Sequence, residues 1–83
     1  MSALILFKSL LYAQRGARLL AQGGIPATVV KAPRGTEDRG CTYGVRLSQG
    51  RLRPALRLLE EKNMSRGRVF LIDGDGTYRE AAL

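Results

Sequence analysis

Residues 3–7, Ala-Leu-Ile-Leu-Phe, are apolar without interruption. Successive side chains of a strand point to opposite faces, so a run that is apolar at every position must be covered on both. Such a strand belongs in the middle of a sheet, and the rest of the chain has to supply its neighbours and a layer above it. The layer begins at once. Ser9 stands where an N-cap is needed, and from Leu10 to Gln22 the residues Leu10, Ala13, Ala17, Leu20 and Ala21 recur at helical spacing, with Gln14, Arg15, Arg18 and Gln22 opposite them. Gly23-Gly24 ends this helix.

Ile25-Pro26 then turns the chain into Ala27–Lys31, a β-branched run that reads as a second strand. Pro33 to Gly40 combines Pro and Gly with the charges Arg34, Glu37, Asp38 and Arg39, the composition of a solvated loop. From Cys41 to Leu47 the pattern alternates, placing Cys41, Tyr43, Val45 and Leu47 on one face and Thr42, Gly44 and Arg46 on the other, as expected of a third strand. A second helix opens at Ser48 or Gln49 and stops near Asn63, with Leu52, Ala55, Leu56 and Leu59 inward; Pro54 is tolerable because it falls in the first turn. Leu11, Leu19 and Leu58 widen the two helical stripes and fit a broad core or a partner surface. Val69–Ile72 is a fourth strand, and 74–83 a turn followed by a tail or short extra strand. The Asp73-Gly74-Asp75-Gly76-Thr77 segment is a hairpin turn and not a calcium loop, because Tyr78 occupies the position where such a loop needs glycine.

The order βαββαβ predicts an α+β fold of the ferredoxin-like split-βαβ class, a four-stranded antiparallel sheet with two helices on one face, in a single domain spanning 1–83 with its core over 3–73. The first and third strands are expected side by side and parallel, which would set Cys41 at the end of the domain where both helices terminate.

Fourteen Lys and Arg against seven Asp and Glu leave a net charge of +7, which points to anionic partners. There is no His, so Ser-His and Cys-His dyads and His-based zinc sites are excluded within the chain. One cysteine, Cys41, excludes an internal disulfide and a multi-cysteine metal site, and fits a reducing, cytoplasmic setting. No cofactor or metal is expected. The apolar runs are too short for a membrane span or a secretory segment, and the basic N-terminal stretch is better used as strand and helix than as a targeting peptide.

Cys41 is the one nucleophile whose surroundings are informative. It follows a glycine-rich charged loop, between Arg39 and Arg46 and downstream of Arg34, where nearby guanidinium groups favour a thiolate and helix carbonyl ends oppose it. A buried, inert packing cysteine is the plain alternative. Phe7-Lys8-Ser9 before an Ala- and Leu-rich helix, Gly24-Ile25-Pro26, the Pro33-Arg34 pair and Gly40-Cys41-Thr42-Tyr43-Gly44-Val45-Arg46-Leu47 resemble the small bacterial domains described as selenium/sulfur carrier-like proteins. The resemblance covers residues 4–62 and is most specific at Pro33, Arg34, Gly40, Cys41, Gly44 and Arg46. It implies that Cys41 is a carrier thiol that accepts sulfane sulfur or selenium from a donor enzyme and passes it to an acceptor, a thiol exchange that needs neither a metal nor a histidine base. Arg34, Arg39 and Arg46 would then stabilise the anion, and Gly40 and Gly44 would let a partner approach the backbone.

Two other classes remain open. The same topology serves RNA-recognition modules, and the charge suits phosphate, but the only aromatics on the first and third strands are Phe7 and Tyr43. A small-ligand or oligomerising module, the latter pairing through an edge strand or an exposed face, is the other.

Overall fold

The uninterrupted apolar run forms the central strand of the sheet, β1 (Ser2–Phe7), and residues 3–7 are each no more than 1% exposed. A computed structural model describes residues 1–36 and 40–81. After β1 come α1 (Leu10–Gln22), β2 (Thr28–Lys31), β3 (Tyr43–Ser48), a 3₁₀ turn (Gln49–Arg51), α2 (Leu52–Glu61), β4 (Val69–Ile72) and β5 (Tyr78–Glu80). The sheet has the order β2-β3-β1-β4-β5, and every neighbouring pair is antiparallel.

Two expectations are corrected here. β1 and β3 are antiparallel, with Phe7 opposite Tyr43 and Ser2 opposite Ser48. The reason lies in the connections: α1 returns the chain so that β2 runs with β1, and the direct β2–β3 link reverses it, so β3 runs against β1. The sheet also has five strands where four were expected. The Asp73–Thr77 turn folds the tail back, with the Asp73 amide donating to the Thr77 carbonyl (2.9 Å) and the Ala81 amide to Val69 (2.8 Å), and so pairs the outer edge of β4. Gly76 takes a left-handed φ of 89° in this turn, as the hairpin reading requires.

One apolar layer lies between the sheet and the helices. Ala3, Ile5, Phe7, Val45, Leu47 and Val69 meet Ala13, Leu20, Leu52, Ala55 and Leu59, and at roughly 1.5–3 kcal/mol for each large side chain buried this layer is the main source of stability. The stripe of α2 is as the spacing predicts, whereas α1 buries Ala13, Gly16 and Leu20 and leaves Leu10 and Ala21 exposed. Leu19 and Leu58 pack against the core and Leu11 is 54% exposed. Pro54 falls in the first turn of α2, where its missing N–H removes no helical bond. On the opposite face of the sheet Leu4, Leu6, Ala32, Phe70 and Ile72 form a second, smaller buried cluster. Among the described residues no helix is long and apolar enough to cross a membrane.

Candidate functional site

Because β1 and β3 are antiparallel, the carboxyl end of β1 meets the amino ends of β3 and β4. That end gathers Lys8, which follows β1, Cys41, which precedes β3, and Ser65–Gly67, which precede β4. α1 begins here, with the Ser9 hydroxyl accepting from the Tyr12 amide at 3.2 Å, and α2 ends here. Cys41 therefore lies at the end where one helix starts and the other stops, not where both terminate.

The side of the sheet also differs from the alternating pattern. Tyr43, Val45 and Leu47 face the helices, but Cys41 packs with Leu4, Leu6, Ala32 and Val30 on the far face. The ladder proper begins at Tyr43; Cys41 is held by an isolated bridge beyond it, and Gly40 turns the chain with φ 82° just before, so the two-residue alternation does not reach Cys41. The loop is closed at its base by the Ala32 amide donating to the Thr42 carbonyl at 2.8 Å.

Cys41 is half-buried, and its sulfur lies against Gly67. A methyl group at position 67 would stand 2.8 Å from Cys41 Sγ and 3.4 Å from both Cβ and the carbonyl oxygen of Leu6, so only glycine leaves room for the thiol. Gly67 is pinned in place because its amide donates to the Leu6 carbonyl at 2.7 Å, extending the β1–β4 ladder by one step. The sulfur borders an open pocket of about 70 Å³ whose other walls are Lys8, Ser65, Arg66 and Gly67. Arg66 folds back over it, Nη1 donating to the Gly67 carbonyl at 2.9 Å. Lys8 and Arg66 are thus the charged residues among the walls of this pocket, and no carboxylate is among them.

The residues expected to support Cys41 are placed as follows. Gly40 is exposed and directly precedes it; Arg34 is exposed in the Pro33–Thr36 turn, which Thr36 closes by donating from its amide (3.1 Å) and its hydroxyl (2.6 Å) to the Pro33 carbonyl. Arg46 is exposed opposite Leu4 and Thr28, five residues along the strand from Cys41, or roughly 16 Å at ~3.3 Å per residue. Gly44 is buried between Leu6 and Val30, where a Cβ would come 2.8 Å from the Ile5 carbonyl oxygen and 3.0 Å from Leu4 Cδ1, so the packing of the far-face cluster demands glycine. None of these four lines the thiol pocket. Arg39, with Glu37 and Asp38, lies outside the described residues.

Lys8, Ser65, Arg66 and Gly67 went unnoticed in the sequence as partners of Cys41. The signal was the direction of β3: once it runs against β1, the residue after β1 and those before β4 must flank the residue before β3. Of the aromatics of the nucleic-acid alternative, Phe7 is fully buried and so closed to a base, and Tyr43 packs, partly buried, against the helix-side core.

The chain matches the family model described as "Putative Se/S carrier protein-like" over residues 2–70. No curated protein and no solved structure matches it. The matched span runs from β1 into β4 and includes Lys8, Cys41 and Gly67. With that much of its length matched, the chain belongs to the Se/S carrier protein-like family.

Proposed function

We propose that the protein carries sulfur, or selenium in its place, on Cys41 and hands it to an accepting enzyme. Family membership supports a carrier, and the observation that carries the assignment to this residue is the half-buried Cys41 bordering an open pocket whose other walls include Lys8 and Arg66. In this reading the first four strands and both helices serve as a ferredoxin-like split-βαβ scaffold that brings three strand ends together around the thiol.

Loading is a displacement at sulfur. The Cys41 thiolate attacks the outer sulfur of a donor persulfide, R–S–SH. The donor S–S bond breaks as the bond to Cys41 forms, the donor leaves as RS⁻, and the proton stays on the transferred sulfur. Charge and electrons balance with no external oxidant. Unloading is the same exchange, with an acceptor thiolate attacking the outer sulfur and Cys41 leaving. Lys8 and Arg66 stabilise the anion present before and after each transfer. Arg34 and Gly40, exposed on the loop that leads into Cys41, lie where an accepting enzyme would approach.

The test is intact mass after incubation with a low-molecular-weight persulfide. One added sulfur on the wild-type chain, released by a thiol reductant and absent from Cys41→Ser, is expected. A wild-type chain that takes up no sulfur under conditions that load a free cysteine peptide would overturn the assignment.

A further inference from the structure

A second and larger pocket, of about 450 Å³, adjoins the thiol pocket and shares Lys8 and Ser65 with it. Its walls include Lys8, Tyr12, Arg15, Leu19, Lys62 and Met64. Such a volume suits a small molecule, since small-ligand sites run from about 300 to 1,000 Å³. Three cations line it and no acidic residue does. Lys8 Nζ lies 5.7 Å and Arg15 Cζ 6.0 Å from the centroid of the Tyr12 ring, so the ring holds two like charges at one place. Among the described residues the salt bridges are Arg68 with Glu80 and Arg79 with Asp73, and neither involves these three cations. The first turn of α1, which starts beside the pocket, contains no acidic residue, so its positive end has no internal counter-charge either. Leu19 and Met64 add an apolar strip suited to methylene groups.

We propose that this pocket is the docking subsite of the sulfur donor, and that the donor is a small thiol persulfide bearing carboxylates. Its carboxylates lie among Lys8, Arg15 and Lys62, and its sulfane sulfur reaches Cys41 past the shared wall at Lys8 and Ser65. The donor identity rests on the carrier reading above; the anion subsite does not.

Two measurements separate the two ideas. The first is a calorimetric titration of Cys41→Ser with reduced glutathione, a tripeptide thiol with two carboxylates, and with its diethyl ester. The acid is expected to bind and the ester not, with Arg15→Gln/Lys62→Gln in the same background weakening the acid by about tenfold or more, the effect of losing one or more charge-assisted contacts. Circular dichroism melts of each variant confirm folding, which these exposed side chains do not support. The second is the rate of sulfur uptake by the chain with Cys41 intact, from glutathione persulfide and from the esterified persulfide. The carboxylated donor is expected to load faster, and Arg15→Gln/Lys62→Gln to erase the difference. Equal loading from both donors with no glutathione binding overturns the subsite and leaves the carrier reading standing. Binding of the acid with no loading from either donor overturns the carrier reading and leaves an anion site.

Discussion

Gly67→Ala tests whether the thiol is held where the pocket needs it. The new methyl would stand 2.8 Å from Cys41 Sγ, about 1 Å inside an ordinary carbon–sulfur contact, while its distances to Leu6 Cβ and the Leu6 carbonyl oxygen, 3.4 Å each, are tolerable. Gly67 does not occupy the left-handed region, so backbone strain adds nothing. The sulfur must therefore move, either by displacing its neighbours or by turning Cys41 away from its present rotamer. Overpacking of this kind costs about 1–3 kcal/mol, and the position is only partly buried, so the lower half of that range applies. The cost comes almost entirely from one atom, and deleting that atom should remove it: in a Cys41→Ala background Gly67→Ala should be close to neutral. The coupling between the two sites is then about 1–1.5 kcal/mol, well above the ~0.3–0.5 kcal/mol scatter of independent sites. Urea unfolding of the four chains, followed by far-ultraviolet circular dichroism because there is no Trp, measures it. With a slope of about 1 kcal/mol per molar, usual for small domains, the single Gly67→Ala variant should lose about 1 M of midpoint in the wild-type background. It should also slow alkylation of Cys41 by neutral iodoacetamide, because the methyl fills the mouth of the pocket. Equal costs for Gly67→Ala in both backgrounds would refute the claim that the thiol rests on Gly67.

Gly44→Ala is expected to be more damaging than an ordinary strand substitution and not to be rescued by changes at Cys41. Its Cβ would meet the Ile5 carbonyl oxygen of the central strand at 2.8 Å, which cannot turn aside, so a loss of about 1–3 kcal/mol in urea is predicted, and a loss under about 0.5 kcal/mol would contradict the packing described. In the β4–β5 turn the Thr77 amide donates to Asp75 at 3.0 Å and holds that carboxyl below its ordinary value of 3.8. A carboxyl whose folded value is depressed adds stability above its unfolded value and loses it as pH falls through the folded one. The wild-type urea midpoint should therefore fall relative to that of Asp75→Asn as the pH drops below 3.8 and stay level with it in changes above about pH 5; a constant gap down the acid range would dismiss the bond as a contributor.

Most elements of this fold could be read from short stretches of chain. Ala3–Phe7 could only be a central strand, the spacing from Leu10 to Gln22 matched α1 end for end, and Val69–Ile72 matched β4, because each signal lies within a few residues of its own element. The misplacements share one cause. Leu10 and Ala21 fall on the periodic stripe of α1 yet lie exposed at its two ends, because whether a stripe residue is buried depends on what the assembled fold packs against it. Tyr78–Glu80, all exposed, carry no apolar pattern, so the sequence leaves a tail or a short extra strand open there, and the turn before them decides for β5 by returning the chain to an open edge. Cys41 departs from the two-residue alternation where the ladder ends, and no local pattern marks that place.

The candidate site divides the same way. The sequence alone determined that any thiol chemistry must rest on a single cysteine without a histidine of the same chain, in a chain of net charge +7, since composition settles both. Which cations stand beside it was a matter of strand direction. Arg34 and Arg46 are near Cys41 in the chain, yet the pocket is made by Lys8 and Arg66, 33 residues before it and 25 after it. Antiparallel pairing of β1 with β3 and β4 brings those distant residues to one end of the sheet, and the smallness of Gly67 lets the sulfur lie against the backbone between them. Side chains near in sequence along a strand are carried apart by its extension, and only the assembled sheet decides which ends meet.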